Sequence, residues 1–133
     1  LEKHDLGGAL ESIAKQLTDD TGITIKVSVT GTRRRLPPVV ENNLLRIGQE
    51  AVTNACKHAN PKNIDIQITY LGRRIELVVT DDGKGFETHQ GATERNRSFG
   101  LIGIRERVEL LAGEVEIQSS IGHGTRIRVN VTD

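Results

Sequence analysis

The polar side chains best suited to chemistry lie together on one predicted helix. Four of them fall within an arc of roughly 100° if the helix turns by about 100° per residue: Glu50, Asn54, Lys57 and His58. They offer a carboxylate that can take a proton, an amide oxygen for a hard cation, and a lysine for phosphate groups. A solvent-facing helix surface carries the same residue types, so this set alone does not decide the function.

Three glycine-containing clusters follow, each beside the predicted end of a strand or helix: residues 81–86, 98–103 and 122–125. In the first, Asp81 ends a strand, where a carboxylate can accept from an exocyclic amine while glycines let a flat ligand approach the backbone. The second opens a helix, whose free amides favour an anion. The third offers the Thr125 hydroxyl. Taken alone, each cluster is better explained by an ordinary turn, hairpin or helix start.

Composition narrows the class of protein. The chain has 133 residues, 18 basic and 18 acidic side chains, three aromatic residues and one cysteine. The length supports one domain over residues 1–133, and a single cysteine excludes an internal disulfide or a cysteine-based zinc site. A balanced charge and few aromatic rings argue against direct nucleic-acid binding. With no membrane-length apolar run or signal peptide, we expect a cytoplasmic domain, in a full-length protein that can itself be membrane-anchored.

Hydrophobic periodicity predicts three helices and five strands. The helices are expected at about residues 5–19, 38–59 and 100–111, and the strands at about 23–29, 64–70, 75–80, 114–119 and 125–131. Gly113 is expected to cap the third helix. The order predicts an α+β fold of two layers, with a mixed five-stranded sheet carrying three helices on one face. Because the strands alternate, the other face should meet solvent.

Taken together, four motifs resemble one family. Residues 46–59 resemble its asparagine box, and Asp81-x-Gly83-x-Gly85-Phe86, residues 100–107 and Gly122-x-Gly124-Thr125 resemble its three glycine boxes. The chain from about residue 6 to its end is thus similar to the catalytic ATP-binding domain of bacterial sensor histidine kinases. That superfamily includes gyrase-type topoisomerases, a heat-shock chaperone and mismatch-repair ATPases, and it implies the Bergerat ATP-binding fold.

The resemblance also implies roles for individual residues. Asn54 would coordinate Mg²⁺ between the phosphates of ATP, Glu50 would act as or polarise the base near the γ-phosphate, and Asp81 would hold the adenine amino group. Residues 86–99 would form a lid over the nucleotide, although Ser98 stands where the family commonly has a glycine. The nucleotide-binding residues implied in this way are Asn54, Lys57, His58, Asp81, Gly83, Gly85, Gly100, Leu101, Gly103 and Thr125.

The resemblance further implies partners. A separate dimerisation domain of the same kinase would supply the phosphoaccepting histidine, and the full-length kinase would be a homodimer. His4-Asp5 has the acceptor pattern, but only one helix follows before the first strand, so we expect the acceptor elsewhere. The sequences Gln49-Glu50 and Arg105-Glu106-Arg107 resemble those of a compact subgroup whose response regulators are helix-turn-helix transcription factors.

Three alternatives remain open from the sequence. A serine/threonine kinase of the anti-sigma-factor type uses the same nucleotide fold without a phosphohistidine hairpin. An ATP-gated dimerisation module, like the topoisomerase and chaperone relatives, needs an extra domain or strap for which 133 residues leave little space. A nucleotide-binding scaffold without transfer activity would not need Glu50 and Asn54.

Overall fold

A computed structural model of the chain describes residues 5–86 and 101–132. The helices and strands follow one another along these residues in the predicted order. The elements are α1 (Leu6–Thr21), β1 (Thr24–Thr30), α2 (Pro38–Asn54), a π-helical segment (Ala55–Ala59), β2 (Asn63–Leu71), β3 (Arg74–Asp81), α3 (Leu101–Leu110), β4 (Glu114–Ser119) and β5 (Thr125–Thr132).

The five strands form one mixed sheet in the order β1-β2-β3-β5-β4. β1 and β2 are parallel, and every other neighbouring pair is antiparallel. A parallel pair needs a long crossover, which α2 supplies between β1 and β2. The three helices cover one face of this sheet, so the predicted two-layer α+β architecture is confirmed.

The core lies between the sheet and the helices and is almost entirely aliphatic. Along β2, Ile64, Ile66 and Ile68 are fully buried while the residues between them are exposed. This alternation is the predicted pattern of a sheet with one face in the core. Close helix packing completes the layer, because a Cβ on Gly48 would stand 2.9 Å from a methyl group of Leu10.

α1 begins at a side-chain cap that also anchors a neighbouring loop. The Asp5 carboxylate accepts from the backbone N–H of Gly8 at 2.9 Å and from two nitrogens of Arg33 at 2.9 and 2.7 Å. The hydrogen bonds from Arg33 hold the pKa of Asp5 below its usual value. The helix continues through Asp19 and Asp20, beyond its predicted end, and stops at Gly22, which is left-handed.

The second helix does not continue as an α-helix to its predicted end. The α-helix ends at Asn54, and Ala55–Ala59 form a π-helical turn before Asn60 turns left-handed. In a π turn the backbone hydrogen bonds join residues five apart instead of four. Each residue therefore rotates about the helix axis by a smaller angle than in an α-helix. The predicted end of the helix, at Ala59 before Asn60, is therefore confirmed, and only the α-helical spacing assumed for Lys57 and His58 differs.

The end of α3 differs from the prediction in a similar way. Ala112, not Gly113, takes the left-handed conformation, with φ 54°. The N–H of Gly113 donates to the carbonyl of Val108 at 2.9 Å, which completes a Schellman motif. Gly113 is required for space instead, because a Cβ there would lie 2.6 Å from the carbonyl oxygen of Asn130.

Within the described ranges, no helix is both long enough and apolar enough to cross a membrane.

Replacing Ala112 by glycine should therefore stabilise the fold. The Ala112 side chain is exposed, and a left-handed residue with a Cβ is strained, so Ala112→Gly should raise the free energy of unfolding by about 0.5–1 kcal/mol in urea denaturation. Ala9→Gly is the control, because the same change at a helical position of α1 should lower stability. A loss of stability in Ala112→Gly would contradict the argument.

Candidate functional site

A small cavity lies where the end of α2 meets the ends of β3 and β5 and the start of α3. Its volume is about 20 Å³, which is room for about one water molecule. The cavity is lined by Ala51, Asn54, Ala55, Ala59, Asp81, Phe86, Leu101, Thr125 and Ile127. Four residues predicted from separate motifs of the sequence are thereby brought together: Asn54, Asp81, Leu101 and Thr125.

Asp81 is the buried carboxylate of this cavity. It ends β3 directly opposite Thr125 of β5, and only 8% of its surface is exposed. Its Oδ1 accepts from the N–H of Gly83 at 2.8 Å. Burial raises the pKa of Asp81 above its usual value, in spite of this bond and a second one from the Thr125 backbone. The strand end thus presents a desolvated acceptor to the cavity.

The neighbouring carboxylate, Asp82, has a structural task. Its oxygens accept from the backbone N–H groups of Lys62 and Asn63 at 2.8 and 2.9 Å and from the Asn63 side chain at 2.9 Å. The hydrogen bonds from Asn63 hold the pKa of Asp82 below its usual value. Two adjacent aspartates therefore have opposite pKa shifts, and only Asp81 lines the cavity.

Glu50 lies beside the cavity at the contact between α2 and α3. Its Oε1 is 3.3 Å from the Nε of Arg107, whose Nη1 also donates to the Asn43 side chain at 3.2 Å. Both charged side chains are about one-third exposed, so solvent screens the pair. Sequence reasoning assigned no contact to Arg107 or Asn43. Helical spacing could have predicted the contact with Glu50, since Arg107 lies one turn after Gly103 on the same face of α3.

Two glycines of the first box allow three backbone segments to touch. A Cβ on Gly83 would overlap the carbonyl of Ala59, and the N–H of Lys84 donates to that carbonyl at 2.8 Å. Gly85 is left-handed, with φ 68°, and a Cβ there would overlap the carbonyl of Ser120. These contacts join the π-helical segment, the first glycine box and the turn before β5.

Several predicted site residues lie elsewhere or outside the described ranges. Lys57 and His58 are exposed on the π-helical segment and do not line the cavity. Gly103 lies against Glu50, because a Cβ on Gly103 would stand 2.9 Å from Oε2 of Glu50. Gly100 and residues 87–99 of the predicted lid fall outside the described residues. Phe86, the first residue of that lid, is buried and lines the cavity.

Ser119 also belongs to this region, although sequence reasoning did not select it. Its hydroxyl lies 2.8 Å from the Phe86 backbone nitrogen, 2.8 Å from the Thr125 hydroxyl and 3.1 Å from the Gly124 carbonyl. The signal was present in the hairpin, because Ser119 and Thr125 flank the same turn and pair across it.

Two glycine-to-alanine changes should differ in their effect on stability, because one glycine packs against backbone and the other against the end of a flexible side chain. Gly83→Ala should lower the free energy of unfolding by about 1–3 kcal/mol, because its Cβ would meet a carbonyl and, at 2.7 Å, the Cβ of Ala59. Gly103→Ala is the matched control, since its Cβ would meet only the movable end of Glu50 and alanine favours a helix. Equal losses in denaturant unfolding of the two variants would refute this distinction.

A family model and curated relatives both match this chain to histidine kinase-like proteins. Residues 39–133 match the family model described as histidine kinase-, DNA gyrase B- and HSP90-like ATPase. The signal transduction histidine-protein kinase/phosphatase DegS of Bacillus subtilis strain 168 is 42% identical over 98 residues, which cover 74% of this chain and 26% of that protein. DegS of Brevibacillus brevis is 33% identical over 129 residues, covering 96% of this chain and 33% of the relative. The chain thus spans about a quarter to a third of these curated relatives.

Solved structures share the fold. The blue-light activated histidine kinase of Erythrobacter litoralis EL346 superposes with a TM-score of 0.72 at 26% identity, covering 96% of this chain and 42% of that one. The histidine kinase AdeS of Acinetobacter baumannii gives a TM-score of 0.77 at 14% identity, covering 96% and 64%. With the matched family model spanning α2 to the end of the sheet, the chain belongs to the histidine kinase-, DNA gyrase B- and HSP90-like ATPase family.

Proposed function

We propose that this chain binds Mg-ATP and donates the γ-phosphoryl group to a histidine on a separate dimerisation segment, as part of a two-component kinase. The observation that carries the proposal is the pairing of buried Asp81 with Thr125 in one cavity with Asn54. Membership of an ATPase family and the similarity to DegS kinases support it. A homodimeric kinase and a helix-turn-helix response regulator remain part of the proposal.

Adenine fits the chemistry of the cavity. An ionised carboxylate only accepts hydrogen bonds, so Asp81 would select a base edge that carries an amino group. The cavity's volume of about 20 Å³ is too small for a purine ring. Phe86 and Leu101, which border residues 87–100 on either side, would therefore have to move outward when the base enters.

Mg²⁺ would be held by Asn54 together with the phosphates. Among the described residues no group of three or more His, Cys, Asp and Glu side chains could hold a metal ion. An amide oxygen on α2 fits a hard cation that takes its other oxygens from a nucleotide and from water. When bound, Mg²⁺ would supply charge neutralisation for phosphoryl transfer.

Glu50 is the residue proposed to hold a proton during transfer. Arg107 orients one carboxylate oxygen, and Gly103 leaves room for the other. The exposed Lys57 and His58 would meet the phosphates from the end of α2. Phosphoryl transfer depends mostly on positioning and charge compensation. These groups would therefore act by orienting the phosphates and balancing their charge, without forming a covalent bond to them.

The transfer itself is tested with labelled ATP and a separately produced phosphoacceptor hairpin. Incubation with this chain should place acid-labile label on the hairpin, since phosphohistidine is acid-labile. Acid-stable label would instead indicate the serine/threonine kinase alternative. Absence of label, with ATP bound, would favour a nucleotide-binding scaffold. A Glu50→Gln variant, expected to bind ATP normally and transfer more slowly, shows that the label depends on this site.

Removing the Asn54 amide should remove the effect of Mg²⁺ on nucleotide affinity. In Asn54→Ala, ATP binding measured by calorimetry should be the same with and without Mg²⁺, because the only protein ligand proposed for the cation is gone. Asn42→Ala is the matched control, an exposed amide on the same helix. Retention of the Mg²⁺-dependent gain in Asn54→Ala would exclude Asn54 as a ligand.

A further inference from the structure

Ser119 lies at a junction between the two glycine boxes that flank the cavity. It is the last residue of β4 and pairs in register with Thr125, the first residue of β5. Its half-buried hydroxyl contacts the N–H of Phe86, the carbonyl of Gly124 and the hydroxyl of Thr125. One side chain thus connects the end of the first glycine box with the start of β5.

Only one arrangement of protons satisfies all three contacts. A backbone N–H only donates, so Ser119 accepts from Phe86, and a carbonyl only accepts, so Ser119 donates its single proton to Gly124. No proton is then left for the third contact, at 2.8 Å. The Thr125 hydroxyl must therefore donate to Ser119.

This arrangement determines what Thr125 offers to a ligand. With its proton directed at Ser119, the Thr125 oxygen presents lone pairs only. Asp81, its partner in register, is also an acceptor, and both residues line the same cavity. Two acceptors side by side complement a base edge that donates through an amino group and disfavour an edge that presents a carbonyl oxygen.

We propose that Ser119 is a positioning residue for base selection: it fixes the Thr125 hydroxyl as an acceptor and thereby favours an amino-bearing purine over an oxo-bearing one. The inference rests on the proposed function, because it assumes that the base of ATP enters this cavity. Ser119 acts through Thr125 and does not itself line the cavity.

The test compares dissociation constants for ATP and ITP, whose bases differ at C6, amino in ATP and oxo in ITP, and at N1, which carries a proton only in ITP. In Ser119→Ala the Thr125 hydroxyl is released and can donate to the oxo group. The ratio of the ITP to the ATP dissociation constant should therefore fall about three- to tenfold, the usual effect of one hydrogen bond. Ser120→Ala, an exposed neighbour, should keep the ratio of the unmodified chain.

Two further variants separate selection from folding. Ser119→Cys keeps the size of the side chain but bonds weakly, so it should lower the ratio even if Ser119→Ala is unstable. In a Thr125→Val background, Ser119→Ala should no longer change the ratio, because the hydroxyl that it controls is absent.

The outcomes distinguish the inference from the proposed function. If the unmodified chain does not bind ATP, the proposed function fails, and this inference with it. If it binds ATP in preference to ITP but Ser119→Ala and Ser119→Cys leave the ratio unchanged, Ser119 has no part in base selection and the proposed function stands. An effect that persists in the Thr125→Val background also overturns the inference.

Discussion

Burial of the sheet's inner face beneath α2 is the constraint on which the rest of the structure depends. With 2% aromatic residues, the core must be built almost entirely from aliphatic side chains, and these need close helix packing. α2 therefore turns Ile47, Gly48 and Val52 toward the core. Its remaining polar side chains are then fixed in direction: Glu50 faces α3, and Asn54 reaches the cavity. The site is a consequence of how this helix lies across the strands.

Asp81 illustrates a conflict between stability and binding. In the unfolded chain its pKa is near 3.8, and burial raises the folded value. The folded state is therefore penalised wherever the carboxylate is ionised, and the penalty disappears only as pH falls below the unfolded value. Asp82, with a lowered pKa, contributes in the opposite sense. A buried carboxylate that lowers stability at neutral pH is understandable if it serves a ligand.

The sequence predicted what local periodicity and punctuation determine. The alternation of Ile64, Ile66 and Ile68 identified a half-buried strand, and Asp81 and Thr125 were selected from separate motifs that the sheet register joins. Local patterns do not show which distant segments will pack together. The π-helical turn and the left-handed Ala112 were missed for this reason, since both lie beside such contacts: Ala59 packs on Gly83, and Gly113 packs on Asn130. So are the contacts of Ser119 and Arg107, whose partners are set by tertiary packing.

The small size of the cavity has a consequence for measured affinity. If only a fraction of molecules has Phe86 and Leu101 displaced at any moment, the observed dissociation constant is the intrinsic one divided by that fraction. Nucleotide affinity would then be adjustable without touching any group that contacts the nucleotide. A partner or substitution that favoured the displaced arrangement would tighten binding, and one that secured Phe86 to Ser119 would weaken it. Such a chain would respond to ATP concentration through a conformational equilibrium of its own.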